Sequence, residues 1–373
     1  MQPMNSIWQW SGGRLRLEIF GGSHDPFIGG KLAGLPAGLP YDSAAVRALL
    51  ARRAPGGRFA TKRKEADEPV ILSGIRFAEA EGEPSTGATD GTPIEMRIYS
   101  TNQRSADYGE MVVPRPSHAD YPAYVKYGGR CDLRGGGHFS GRLTAPLTFF
   151  GGLCMGYLKA QGIRIGAHLL RVGDAVDIPF DPMTVSDADF AAVQDPDKAF
   201  PSVGDGEAMQ TEILAAARAG DSVGAVIECA VVGLPVGVGE HMFRSVEGTL
   251  SSSLFGIPAL KGVEFGDGFS FAAEHGSNAN DGYRYENGRV TLLSNHCGGI
   301  AGGMTTGAPL LFRCAFKPTP SIYQPQPSVN LKTGENETLT IVGRHDPCVA
   351  VRAVPVVEAA AAIALTELLL EAK

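Results

Sequence analysis

Cysteine is scarce in this sequence, and no two cysteines are spaced as a pair. The 373 residues contain six cysteines, all widely separated and with no CxxC spacing among them. Such spacing is typical of reduced thiols rather than of a disulfide framework or a zinc site. The pattern therefore predicts a cytoplasmic protein without a metal site.

An excess of positive charge and a long uninterrupted apolar run are also missing. The net charge of −7 and the pI near 5.7 argue against a general role in nucleic-acid binding. The most apolar stretch, 354–370, contains Pro355, Glu358 and Glu367, so we expect no membrane span. The first twenty residues have no apolar core after a basic segment, which predicts no secretory signal.

No internal repeat and no low-complexity linker divides the sequence. Hydrophobic residues make up 43% of the chain and charged residues 20%, a balance typical of a globular protein with a sizeable core. No repeat of solenoid length is present. We therefore expect a single domain over residues 1–373.

The spacing of apolar residues predicts a mixture of helices and strands. Asp42 is suited to cap a helix over Ser43–Arg53, and Ser140–Leu158 is predicted as a buried helix rich in small residues. The clearest helix is Pro355–Ala372, with its proline near the first turn. We also predict strands over 14–20, 69–73, 94–99, 164–172, 223–234, 290–294 and 309–316, helices after Ser186 and over 207–219, and an exposed loop over 332–339.

The most informative segment of the chain is 115–142, RPSHADYPAYVKYGGRCDLRGGGHFSGR. It holds five cations, two histidines and three consecutive glycines. Arginine forks match phosphate and carboxylate, glycines let backbone N–H groups approach an anion, and histidines can move protons near neutral pH. On an acidic chain, this combination indicates a site for a small polyanion.

Three separated segments carry a family resemblance. In their order and spacing, FGGSHDPFIGG at 20–30, RPSHADYPAYVKYG at 115–128 and GRHDPCVAVRAVPVVEA at 343–359 resemble the three characteristic regions of chorismate synthase. Further similar stretches, such as SNHCGGIAGG at 294–303 and KPTPSI at 317–322, extend the resemblance over nearly the whole chain. Each motif alone is weak, but their joint order is highly specific.

The resemblance implies a reaction, a cofactor and a fold. The reaction is the anti-1,4-elimination of phosphate from 5-enolpyruvylshikimate 3-phosphate to give chorismate, the last common step of the shikimate pathway to aromatic amino acids. The cofactor is reduced FMN, with NADPH as a possible external reductant. The fold is α+β, with helices sandwiched between antiparallel β-sheets, and the assembly is a homotetramer. The expected partner is the small-molecule substrate, without nucleic acid or membrane.

Site residues follow from the resemblance position by position. His24, His118 and Asp346 match the catalytic positions, and which histidine protonates the leaving phosphate stays open. The positions that match the flavin site are His138, Phe139, Ser140, Pro258, Ala259, Gly302, Lys317, Pro318, Thr319, Pro320, Ser321 and Arg344. Those that match anion-binding positions for substrate or NADP are Arg53, Arg58, Arg115 and Arg134.

The chain departs from the commoner family pattern at several of these places. Gly22 stands where glutamate is usual, Asp25 stands where glycine is usual, and Cys131 looks like an inserted residue. His138, Phe139 and Ser140 stand where many members have Arg–Ser–Ser. Phe139 cannot form the hydrogen bond of a serine, but it can pack on the flavin ring. These departures indicate a variant subfamily that keeps the activity.

Two other functional classes remain open on the residues alone. One is a flavin oxidoreductase that transfers hydride from NADPH to an anionic enone, which the absence of a GxGxxG fingerprint after a strand disfavours. The other is a non-catalytic anion-binding or flavin-binding protein, which has no use for proton donors such as His24 and His118. His168, in an apolar strand, is predicted to be a hydrogen-bonded core residue instead.

Overall fold

The protein contains two five-stranded antiparallel sheets with helices packed between them. The computed structural model describes residues 7–55, 59, 67–77, 86–100, 112–195, 198, 200–341, 343 and 345–372. The helices are α1 (Ser43–Arg53), α2 (Asp120–Tyr127), α3 (Thr144–Ala160), α4 (Asp187–Gln194), α5 (Glu207–Arg218), α6 (Val246–Leu254), α7 (Gly276–Ala279) and α8 (Ala350–Glu371).

The strands form the two large sheets and several small ones. In chain order they are β1 (Ile7–Ser11), β2 (Arg16–Phe20), β3 (Phe27–Ala33), β4 (Pro40–Asp42), β5 (Val70–Ser73), β6 (Ile75–Phe77), β7 (Thr86–Thr89), β8 (Ile94–Tyr99), β9 (Arg164–Val172), β10 (Ala175–Val176), β11 (Ala225–Val232), β12 (Leu260–Phe265), β13 (Tyr283–Glu286), β14 (Arg289–Leu292), β15 (Ile300–Ala301), β16 (Met304–Thr305), β17 (Leu310–Phe316), β18 (Gln326–Val329) and β19 (Asn336–Leu339). The first large sheet has the order β1-β2-β3-β8-β5 and the second β10-β9-β11-β17-β12. The predicted α+β class, with helices between antiparallel sheets, is confirmed.

Helices α3 and α8 form the layer between the sheets. They pack against each other, while α3 also contacts β3 and β8 of the first sheet and α8 contacts β9 and β11 of the second. A Cβ atom at Gly151 of α3 would collide with Ala359 of α8, so only glycine permits this close approach. The predicted buried helix is thus confirmed, although its first residues, Gly141–Leu143, form a 3₁₀ turn.

Helix α8 differs from the sequence-based expectation. It begins at Ala350 rather than at Pro355, so the proline lies inside the helix. Proline has no backbone N–H, so the carbonyl four residues earlier loses its usual hydrogen bond within the helix. Burial of nearly the whole helix offsets this loss. By length and composition α8 could cross a membrane, but 94% of its most apolar 18-residue segment is buried inside the protein. It is the central core helix of the fold.

The other predicted elements agree with the structure, with one exception. Asp42 caps α1 by accepting hydrogen bonds from the backbone N–H groups of Ala44 and Ala45, at 3.0 and 3.1 Å. The predicted loop over 332–339 is wrong in its second half, because β19 pairs with β18 in an exposed hairpin. A two-stranded ladder can form from backbone hydrogen bonds without an apolar face, so the polar sequence concealed this strand.

His168 is a hydrogen-bonded core residue, as predicted. Its side chain is fully buried, with Nε2 3.1 Å from Glu228 Oε2 and Nδ1 3.2 Å from Asp177 Oδ2. Burial alone would lower the pKa of His168, but the hydrogen bonds that its ring donates to the two carboxylates outweigh burial and raise the pKa above its usual value. The group therefore stabilises β9 against β11 rather than serving a site.

Candidate active site

A cavity of about 400 Å³ lies where the second and third characteristic segments meet. We call it the main cavity. It is enclosed by the end of α1, the loop at 115–119, the turn at 135–142, the segments 257–259 and 317–321, and the start of α8. Of the predicted site residues, it is lined by Arg53, Arg115, His118, Phe139, Ser140, Pro258, Ala259, Lys317, Thr319, Pro320, Ser321 and Asp346.

The main cavity carries an excess of positive charge. Among the residues that the structure describes, the cavity is lined by a single carboxylate, that of Asp346, and by five cations, Arg53, Arg115, Arg142, Lys317 and Arg352. A partly enclosed cleft with low-dielectric walls strengthens the field of such groups. The cavity can therefore hold a small molecule with several negative charges.

His118 is held by a carboxylate that is completely buried. Its Nδ1 lies 2.6 Å from Asp120 Oδ1. The same carboxylate accepts hydrogen bonds from the backbone N–H and the guanidinium of Arg115, at 2.7 to 3.0 Å. Burial alone would raise the pKa of Asp120, but the hydrogen bonds from His118 and Arg115 outweigh it and lower the pKa far below its usual value. Asp120 is thus an ionised acceptor at the floor of the site.

This arrangement sets the orientation of the His118 ring. An ionised carboxylate can only accept, so Nδ1 carries the proton that it donates to Asp120. The other nitrogen, Nε2, then points towards the cavity wall, where it would lie 3.7 Å from a Cβ atom at Gly136. A histidine fixed in this way can give or take a proton through Nε2.

Two of the predicted anion-binding arginines already have protein partners. The guanidinium of Arg53 is 2% exposed, donates through Nε and Nη2 to Asp67, and has Nη1 3.3 Å from Thr144 Oγ1. Arg115 is likewise paired with Asp120. The charges of these two arginines are therefore largely balanced by buried carboxylates, and their hydrogen bonds fix the cavity walls.

Asp346 also lines the main cavity, where Arg352 holds it. The Arg352 Nη1 atom donates to Asp346 Oδ2 at 2.8 Å, and Arg352 Nε donates to the carbonyl oxygen of Arg53 at 2.9 Å. The Asp346 side chain is 11% exposed. The carboxylate therefore faces the cavity from a defined position.

One side of the main cavity is apolar and suits a flat ring. Phe139, Pro258, Ala259 and Pro320 contribute to it. The backbone of Ala259 has φ of 70°, a strained conformation for a residue with a Cβ atom and one that often marks functional sites. Beside these groups, the buried Thr319 hydroxyl oxygen has no hydrogen-bond partner among the described residues. A ring with polar edges would satisfy that hydroxyl.

His24 and His118 lie on opposite sides of the glycine turn. His24 lines a second cavity, of about 610 Å³, and its Nδ1 is 3.1 Å from the carbonyl oxygen of Arg134. A Cβ atom at Gly135 would lie 2.5 Å from Cε1 of the His24 ring, so the ring packs directly behind the turn. The triple glycine, with φ positive at all three residues, is the wall between the two cavities.

His138 also belongs to the second cavity rather than to the main one. Its ring stacks on Trp8, with centroids 4.7 Å apart and planes 23° apart, and lies 4.1 Å from the Phe139 ring. Cys131, the apparent insertion, lies with Sγ 3.6 Å from His138 Nδ1. His138 and Phe139, which stand where Arg–Ser is commoner, are adjacent in sequence but line different cavities.

Other predicted residues lie away from the main cavity. Arg134 is paired with Asp132 at 2.6 Å, and both side chains are about half exposed. Pro318 packs against Gly224, and Gly302 lies in the turn between β15 and β16. Arg58 and Arg344 fall outside the described residues.

Sequence reasoning did not assign three residues that the structure brings to this site. Arg142 and Arg352 line the main cavity, and Asp120 pairs with Arg115 and orients His118. The predicted start of the last helix at Pro355 hid Arg352, because only the observed start at Ala350 places this cation in the first turn, where it opposes the helix dipole.

Comparisons with known proteins agree with this geometry. Residues 15–370 match the family model for chorismate synthase. The chain is 41% identical to chorismate synthase of Lancefieldella parvula, with 96% of this chain and 95% of the relative aligned. It is 42% identical to that of Thermococcus gammatolerans, with 96% and 97% aligned. A crystal structure of chorismate synthase matches with a TM-score of 0.74 at 28% identity, and the match covers 97% of this chain and 93% of that one.

Proposed function

The chain belongs to the chorismate synthase family, and we propose that the main cavity is its active site. The family reaction converts 5-enolpyruvylshikimate 3-phosphate to chorismate and phosphate, in the shikimate pathway to aromatic amino acids. It is a carbon–oxygen lyase reaction. The substrate carries two carboxylates and a phosphate. Among the described residues, five cations line the cavity and outnumber the three carboxylates that pair with them, those of Asp67, Asp120 and Asp346, and this excess is the observation that best supports substrate binding here.

Two groups of the chain are suited to the proton transfers. The elimination breaks a C–O bond to phosphate and a C–H bond elsewhere on the ring, so one proton is lost and phosphate departs as an anion. We assign protonation of the departing phosphate to His118, because Asp120 accepts from its Nδ1 and so orients Nε2. We assign the final acceptance of the ring proton to Asp346. His24 keeps a supporting role, as a side chain that packs behind the glycine turn.

The same cavity fits reduced FMN as the cofactor. The apolar lining residues Phe139, Pro258 and Pro320 suit an isoalloxazine ring, and the Thr319 hydroxyl, which has no hydrogen-bond partner in the described part of the chain, suits one of its polar edges. When bound, the reduced flavin would supply the electron density that weakens the C–O bond. Lys317 and Ser321 would hold the anionic and polar parts of the cofactor. NADPH is proposed as an external reductant.

We also propose that the chain acts as one domain in the cytoplasm and assembles as a homotetramer. The six free cysteines are compatible with a reducing compartment. Large apolar side chains are exposed, among them Val236 and Phe243, at 74% and 89%. The exposed hairpin β13–β14 carries Tyr283 and Tyr285, and an isolated two-stranded hairpin is marginally stable without a partner. A second copy of the chain would cover both surfaces.

Sedimentation of the purified protein tests the proposed assembly. We expect a tetramer, and we expect Phe243→Asp to weaken it because the substitution would bury a charge at the interface. The exposed Tyr121→Asp variant, on α2, serves as the matched control and should leave the assembly unchanged. A monomer in the native protein would contradict the proposed assembly.

The decisive experiment for the activity is an anaerobic assay of phosphate release. The protein is mixed with substrate and photoreduced FMN, with and without NADPH. Phosphate and chorismate in equal amounts, without NADPH consumption, are expected. Stoichiometric oxidation of NADPH without phosphate release would support the flavin oxidoreductase instead. Binding of substrate and FMN without turnover would indicate a non-catalytic binding protein.

A further inference from the structure

Arg352 occupies an unfavourable place for a cation. It is the third residue of α8, in the first turn, where the partial positive charge of the helix dipole disfavours a positive side chain. The side chain is nonetheless only 19% exposed and lies on the wall of the main cavity. Nearby Arg53 adds to the repulsion. Burial is the largest cause that lowers the pKa of Arg53, the charge of Arg352 lowers this pKa further, and Asp67 acts to raise it. A specific set of contacts must offset these costs.

The contacts of Arg352 join two distant parts of the site. Its Nη1 donates to Asp346 Oδ2 at 2.8 Å, and its Nε donates to the carbonyl oxygen of Arg53 at 2.9 Å. Arg53 is the last residue of α1, and carbonyl groups at the end of a helix have no partner within the helix. One planar guanidinium therefore ties the end of α1 to the carboxylate that precedes α8.

We propose that Arg352 is a positioning residue that holds Asp346 at the place where it accepts the ring proton. The inference rests on the proposed function, because it acts through the role of Asp346. Two of the donors of Arg352 are directed at protein oxygens, so its main task is orientation of the carboxylate rather than capture of the substrate. The arrangement makes the position of Asp346 depend on α1, whose residue Arg53 is itself held by Asp67 and Thr144.

The first test is kinetic, on the variants Arg352→Met and Arg352→Lys. Misplacement of a catalytic group by about 1 Å can cost roughly 10²-fold in rate. We expect Arg352→Met to lower kcat by about that factor while KM stays within roughly threefold, the pattern of an interaction used mainly in the transition state. Arg352→Lys should recover only part of the rate, because one ammonium cannot reproduce the planar fork. A rise in KM at unchanged kcat would overturn the proposal and make Arg352 a substrate-binding residue.

The second test asks whether Arg352 acts through Asp346. In a double-mutant cycle with Asp346→Asn, the effects of two independent residues on kcat multiply, whereas those of a coupled pair do not. We expect Arg352→Met to lower kcat by less than about threefold once Asp346 is asparagine. Full multiplication of the two effects would overturn the proposal. A deuterium isotope effect on breakage of the ring C–H bond should also increase in Arg352→Met, since a misplaced proton acceptor slows that step.

Arg313 provides a matched control. It too is partly buried, pairs with a carboxylate, Glu264 at 3.2 Å, and donates to a backbone carbonyl, that of Gly266, but it does not line the main cavity. Arg313→Met should lower the melting temperature about as much as Arg352→Met and leave kcat unchanged. Equal losses of kcat in the two variants would mean that the effect is general destabilisation. If the Asp346→Asn variant kept the normal kcat, the proposed role of Asp346 itself would be wrong. If Asp346→Asn lowered kcat but Arg352→Met did not, only the positioning role of Arg352 would be rejected.

Discussion

His118 Nδ1 and Asp120 Oδ1 lie 2.6 Å apart, and the carboxylate of this pair has no exposed surface. The pair therefore fixes which nitrogen of His118 reaches the main cavity. Asp120 also holds Arg115, so a single buried carboxylate organises both the candidate acid and a neighbouring cation.

Replacement of this carboxylate should slow catalysis more than binding. In Asp120→Asn the amide keeps the size of the side chain but no longer fixes the tautomer and orientation of His118 as the carboxylate does, so we expect kcat to fall by about 10²-fold. The control is Asp132→Asn, which removes a half-exposed partner of Arg134 and should change kcat by less than about threefold. A full rate in Asp120→Asn would contradict the proposed acid role of His118.

The two histidines should differ in their kinetic effect. His118→Ala should lower kcat by about 10²-fold or more, with substrate affinity within roughly tenfold. His24→Ala, behind the glycine turn, should cost less, since its ring lines the second cavity. Steady-state kinetics of both variants measure the two losses of kcat. Loss of turnover that is equal or greater in His24→Ala would mean that the turn rearranges to bring His24 to the substrate.

The two arginines beside the glycine turn, Arg142 and Arg134, should differ in their effect on the substrate KM. Arg142 is 8% exposed and lines the main cavity, whereas Arg134 is half exposed and paired with Asp132. We expect Arg142→Met to raise the substrate KM by about tenfold or more, because a charge-assisted contact in an enclosed site is lost. Arg134→Met should raise it by less than about threefold. Equal effects would place the anion site outside the main cavity.

Phe139 should contribute to flavin affinity by packing. Its ring lines the main cavity and is backed by His138, which is stacked on Trp8. We expect Phe139→Ser to weaken FMN binding, since the surrounding rings are arranged for an aromatic neighbour. Fluorescence titration of FMN measures the change, and Phe139→Leu separates loss of the ring from loss of apolar volume. Unchanged or tighter binding in Phe139→Ser would reject the packing role.

The buried group of His168, Glu228 and Asp177 should make stability depend on pH. The pKa of His168 is raised in the folded state, so its contribution is complete below its unfolded value of 6.5 and is lost as pH rises through the folded value. Urea unfolding should show this decline at alkaline pH in the native sequence but not in His168→Asn. That variant should also be less stable by about 3–5 kcal/mol at neutral pH, because it breaks a buried charged pair. The exposed His241→Asn variant is the control and should retain the decline.

Much of the secondary structure could be predicted because its causes are local. Asp42 caps the helix that it was expected to cap, and the strand over 164–172 has the predicted bounds. The start of α8 and the strand β19 could not be predicted in this way. The first turn of α8 is stabilised by burial of Ala350, Ala353 and Val354 in the core, and β19 exists because β18 lies beside it.

The sequence by itself determined the family, the α+β class and the three segments that supply the candidate site, because apolar periodicity, capping and motif order are properties of the chain alone. The tertiary structure decided which charges meet. Arg352 reaches the carbonyl of Arg53, a residue 299 positions away, and the glycine turn separates His24 from His118. Such relationships depend on how layers stack and how close backbones approach, which short-range spacing does not encode.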